Sequence, residues 1–287
     1  MNELLQNRFV KGLLWFAPVV FVVLAVSTTK MSGKMPTMIV SPQPQEMALE
    51  QSTPKDVIGN LGGMKVRIPW HYAEYVEYDG DAGFDENLKV SHPERTFDSR
   101  LTSFGIDARF PDMKGLKNAQ LHEERHQQHP HEKMWICIAV RAGEIYPGDG
   151  FLDRRINEVL VSSYSPNRNE NLGYAYERIP EDKYGLEAWR LMSANPHAGN
   201  STRNGNTSKD IYIHRGSSGN VSAYITCERP SATRIGKCYL ETSFAPKAQV
   251  DVTISFWNEL LPEWEKILQS VYDLFLSFEV DPVSIKI

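Results

Sequence analysis

The sequence predicts an α+β fold: a predominantly antiparallel β-sheet with a C-terminal amphipathic helix packed on it, preceded by an N-terminal transmembrane or signal helix. Three observations carry this expectation. Seven segments between residues 64 and 257 alternate in polarity or are rich in β-branched residues, a two-residue period that buries one face of a strand. Residues 259–277 instead repeat Leu260, Leu261, Trp264, Ile267, Leu268, Val271, Leu274 and Phe275 at three- and four-residue spacing, the stripe of a surface helix. Residues 12–29 form an eighteen-residue run without a charge.

That apolar run comes first in the chain. As a helix it spans roughly 27 Å, enough for the hydrocarbon core of a bilayer. Arg8 and Lys11 precede it, a basic flank that holds the N-terminus in the cytoplasm and sends the rest across the membrane. It reads as an uncleaved signal anchor in preference to a cleaved signal peptide, for which Ala25 and Ser27 would supply the small residues. A bacterial inner-membrane protein with one span and a periplasmic domain is the expectation, or a periplasmic protein if the signal is cut.

Residues 30–56 follow as a linker, with Pro36, Pro42, Pro44 and Pro54 scattered among polar residues at a density that disfavours helix and central strand. Residues 57–287 then read as a single globular α+β domain. Its expected strands are residues 64–69, 73–79, 101–110, 134–142, 210–215, 221–227 and 250–257, with a hairpin turn at Gly216 and Gly219 and a long Asn/Gly/Ser/Thr-rich loop over 193–209. Glu259, Glu263 and Glu265 suit the positive end of the final helix.

Of the three cysteines, Cys227 ends one expected strand and Cys238 opens the next, a geometry for a disulfide in an oxidising compartment. Cys137 sits in an apolar strand and reads as a buried thiol.

Charge and composition exclude several classes. The chain carries 31 Lys+Arg against 36 Asp+Glu, a net −5, which supplies no counterion-release drive onto a phosphate backbone and argues against nucleic acid as partner. With 41% hydrophobic and 23% charged residues it is neither disordered nor a polytopic membrane protein.

One string has the letters of a metal site. His122-Glu123-Glu124-Arg125-His126 is a literal H-E-x-x-H, in which two histidines one helical turn apart would bind zinc and the glutamate would activate water. The neighbouring residues contain almost nothing apolar to bury, and Pro130 would end a helix soon after. The segment therefore reads as a solvated polar connector, with His122 and His126, helped by His129 and His131, as a weak surface-metal alternative. Asp79, Asp81 and Asp85 resemble a calcium loop, but Gly83 stands where a ligand belongs, so an acidic turn is the reading. No G-x-S-x-G, Walker A or dinucleotide glycine pattern occurs. The residues expected to meet a partner are Asp79, Asp81, Asp85 and Glu86 in this turn, and Asp149, Asp153, Arg154 and Arg155 in what reads as a second, mixed-charge turn.

Several strings together, IGNLGGMKVRIP, AEYVEYDGD, ERTFDSRLTSFGIDARFPDM, GEIYPGDGFLDRR, YERIPEDKYGL and LLPEWEKILQSVYDLFLSFEVDP, resemble a family of proteobacterial envelope proteins associated with immunity against type VI secretion lipase effectors. The resemblance spans most of residues 57–282. It implies a protein that binds a phospholipase arriving in the periplasm and blocks it, with no catalytic residue, cofactor or metal of its own. A structural or ligand-binding envelope protein is the alternative, and a zinc hydrolase using the HEERH segment the third.

Overall fold

In chain order the described residues form β1 (Val57–Leu61), β2 (Met64–Ile68), β3 (Glu74–Tyr78), β4 (Leu101–Arg109), β5 (Lys114–Gly115), α1 (Ala119–Gln127), β6 (Trp135–Ala142), α2 (Phe151–Tyr164), β7 (Tyr174–Arg178), β8 (Glu187–Ala194), β9 (Lys209–Arg215), β10 (Val221–Glu228), β11 (Lys237–Ser243), β12 (Val250–Trp257) and α3 (Trp264–Leu276). The computed structural model describes residues 54–81, 93–127, 134–164, 174–194, 209–230 and 235–281. The expected export run, the linker up to residue 53, and Asp85, Glu86, His129 and His131 lie outside the described residues. No described helix is long and apolar enough to cross a membrane.

The strands from β3 onward join in one sheet in the order β3-β4-β6-β12-β11-β10-β9-β8-β7, with β5 added alongside β4. Its pairings are antiparallel throughout. β1 and β2 form a separate hairpin. Gly62 at its turn has φ +57°, and a Cβ there would meet the Gln249 carbonyl oxygen at 2.5 Å. Glycine thus lets the hairpin press against the turn before β12, where the Gln249 N–H donates to the Gly62 carbonyl at 2.9 Å.

Alternation assigns the two faces of the sheet. In β12, Val250, Val252, Ile254 and Phe256 are buried on one face, while Asp251, Thr253, Ser255 and Trp257 occupy the other. The apolar face is covered by α3, through Trp264, Ile267, Val271 and Phe275, and by Leu61, Met64, Val66 and Ile68 of the hairpin. A fully buried Leu, Ile or Phe side chain contributes about 1.5–3 kcal/mol by burial, so this face holds most of the stability. On the opposite face α2 buries Phe151, Leu152 and Ile156 against Ile211, Ile213, Val221 and Tyr224 of β9 and β10.

The expected sheet, C-terminal helix and Gly216–Gly219 hairpin are present, the hairpin closed by Gly219 N–H to the Gly216 carbonyl at 2.9 Å. Cys227 and Cys238 are opposite each other in the β10–β11 register and form a disulfide. Cys137 is half-buried.

Four details differ from the sequence reading. The final helix begins at Trp264, because residues Asn258–Glu263, which include Pro262, form a tighter 3-10 turn first; of the three glutamates only Glu265 lies in its first turn. The stretch around Asp153, Arg154 and Arg155 is the start of α2 rather than a turn. The segment read as a solvated polar connector takes the form of a helix without a buried residue: the Asn118 side chain accepts the Leu121 N–H at 3.0 Å and so caps α1. The expected loop over 193–209 gives its first two residues to β8 and its last to β9.

Candidate interaction surface

The partner residues expected in the second charged stretch are gathered at the start of α2. Gly148 and Gly150 have φ +81° and +68°, a conformation that folds residues 146–150 back on themselves. The Arg154 guanidinium, one turn into the helix, collects the carbonyls of Pro147 at 2.7 Å and Asp149 at 2.8 Å and fixes that fold. Asp153 accepts the Val221 N–H at 3.1 Å, tying the helix to β10. Arg155 reaches Glu241 of β11 at 2.8 Å. Three of these four charges are therefore spent on holding α2 in place.

Asp149 is the fourth, and it lines an open cleft of about 940 Å³. Its carboxylate accepts the Tyr146 hydroxyl at 2.7 Å, and that oxygen lies 3.2 Å from Ser243 Oγ. Burial raises the Tyr146 pKa, which keeps the phenol a neutral donor. The opposite wall is Leu268, Gln269 and Tyr272 of α3, and the floor is Val221, Ser222 and residues 242–247. Tyr272 meets Phe244 edge to face at 5.0 Å. Lys247, on the rim, is paired with Glu279 at 2.7 Å. Apolar walls with a few oriented polar groups, at this volume, suit a projecting side chain or a small ligand. The α3 periodicity pointed to Leu268, but nothing in the sequence marked Phe244 or Tyr272 as its companions, since they meet only through the fold.

The first acidic stretch lies elsewhere, beside the edge strand β3. Asp79 is 3.4 Å from Arg100, and Asp81 accepts the Tyr78 N–H at 3.1 Å while pairing with Arg95, whose guanidinium stacks 4.1 Å from the Tyr78 ring. Asp85 and Glu86 lie outside the described residues. The strands β4, β6 and β12 separate β3 from β11, so the two groups do not form one patch.

His122 and His126 lie on α1, a helix without a buried residue. The residues between them are the engaged ones: Glu124 pairs with Arg109 at 2.7 Å and Arg125 with Asp107 of β4. Among the described residues no group of three or more His, Cys, Asp or Glu is placed to hold a metal ion.

No family model and no curated protein matches the chain. Among solved structures it is similar to Smlt3025, an immunity protein of the Stenotrophomonas maltophilia type IV secretion system, at 15% identity over 79% of this chain and 94% of that one, with a TM-score of 0.49.

Proposed function

We propose that this chain is an envelope immunity protein. It is held in the inner membrane by residues 12–29, presents its folded domain to the periplasm, and neutralises by binding a lipase or phospholipase effector delivered by type VI secretion. It acts as an inhibitor and not as an enzyme.

The observation that carries this reading is the composition of the cleft. Two of the strings that resemble the immunity family build its facing walls: GEIYPGDGFLDRR supplies Tyr146, Asp149, Gly150 and Leu152, and LLPEWEKILQSVYDLFLSFEVDP supplies Leu268, Gln269 and Tyr272. Segments more than a hundred residues apart thus converge on one recess open to a partner. The Cys227–Cys238 disulfide favours an oxidising compartment. A linker of 27 residues gives the tethered domain about 30 Å of reach by random-coil scaling, so it meets an effector arriving at the same membrane.

The test is co-expression. The full chain should rescue cells that export the lipase encoded beside it, and the two should co-purify; a chain that neither protects nor binds refutes the proposal.

A further inference from the structure

On the polar face of the sheet, away from the cleft, Arg125 of α1, Trp135 and Cys137 of β6, Ser255 and Trp257 of β12 and Lys237 of β11 line a small pocket of about 170 Å³. Its lining is rich in donors. The Trp135 indole N–H is buried and has no hydrogen-bond partner among the described residues. Ser255 adds a hydroxyl, while the Cys137 thiol, its pKa raised chiefly by burial, is already engaged by Asp107. Arg125 is balanced by Asp107 and also interacts with Glu74 of β3, whose pKa is raised chiefly by burial, whereas Lys237 lies over the Trp257 ring at 4.9 Å with no acid within ion-pair distance among the described residues. The pocket therefore offers one ammonium without an ion-pair partner beside an unmet donor.

We infer that this pocket receives a carboxylate, such as an acidic side chain of a protein partner. The charge balance fits a singly charged group, and Asp107 nearby opposes a doubly charged one. The indole N–H, the serine hydroxyl and the lysine ammonium are three donors, enough for the two oxygens of a carboxylate and fewer than a tetrahedral phosphate group calls for. Of the two cations in the lining, Arg125 is held by Asp107, so the flexible end of Lys237 is the one free to adjust around a ligand.

This inference stands apart from the lipase reading, because its test needs no effector. In full-length protein carrying ¹⁵N-labelled indoles, the Trp135 side-chain resonance is identified by its loss in Trp135→Phe. Sodium acetate, added at constant ionic strength against sodium chloride, should shift that indole proton downfield and saturably. Lys237→Met should raise the half-saturating acetate concentration about tenfold, the worth of one charge-assisted hydrogen bond, with the indole resonances other than Trp135 and its pocket neighbour Trp257 unmoved. Inorganic phosphate should act only at higher concentration. A Trp135 resonance indifferent to acetate, an unchanged response in Lys237→Met, or a stronger response to inorganic phosphate would each overturn the assignment.

Discussion

Arg125 of α1 forms an ion pair with Asp107 of β4, a carboxylate only 4% exposed beneath the helix. The pair turns the two variable positions of the H-E-x-x-H string into the anchors of α1, since Glu124 is likewise held by Arg109. Arg125→Met leaves Asp107 buried without its counter-charge and should cost about 2–3 kcal/mol in urea unfolding. His122→Ala and His126→Ala, on an unburied helix, should stay within about 0.5 kcal/mol. Equal costs for His126→Ala and Arg125→Met would contradict this assignment of roles.

The disulfide closes an eleven-residue span between β10 and β11. By loop-closure entropy its removal should cost about 3 kcal/mol. Guanidinium unfolding of the oxidised protein, with and without reductant, checks this: the midpoint should fall on reduction, and the Cys227→Ala/Cys238→Ala double variant should lose the response.

Glu241 and Asp112 should give opposite pH profiles. Burial is the largest influence on Glu241 and raises its pKa despite Arg155, so its proton is held more tightly folded than unfolded. The stability that follows is present at acid pH and lost as pH rises through the raised value. Glu241→Gln should therefore stabilise relative to the parent at pH 7 and lose that advantage near pH 4. Hydrogen bonds from Arg109 hold Asp112 well below the usual carboxylate range. Asp112→Asn should destabilise at pH 7, by a margin that begins to shrink as pH falls below the ordinary carboxylate range. Thermal unfolding of the three proteins across pH 3–8 gives the sign of each effect.

What the sequence made legible follows from which faces are buried. β12 and β10 alternate because the apolar face takes the main core, and α3 shows its stripe because only one side of it is covered. β8 did not stand out: Leu186 and Ala188 pack on one side of its segment and Trp189 on the other, which erases the two-residue period. α2 was hidden by its first turn, where Asp153, Arg154 and Arg155 suggest a loop, although Phe151, Leu152 and Ile156 already lie at helical spacing. The charged residues of the site were visible in the sequence, but their division of labour was not. Arg154 and Asp153 bind backbone groups, which no residue pattern announces, and only Asp149 among the four lines the recess.

The cleft itself gives the sharpest prediction about binding. Leu268 is half-buried on the cleft-facing side of α3, so an arginine there projects into the recess while Ile267 and Val271, which hold the helix to the sheet, are untouched. Leu268→Arg should weaken binding of the cognate effector by tenfold or more, a change of at least about 1.4 kcal/mol, and abolish protection in co-expression. Because Leu268 also packs partly against the main core, the unfolding midpoint should fall only modestly, with the protein still folded. Tyr75→Ser serves as the contrast, because Tyr75 is 81% exposed on the edge strand β3, far along the sheet from the recess. Retained affinity in Leu268→Arg together with loss in Tyr75→Ser would move the interface to the β3 edge and remove the cleft from the mechanism.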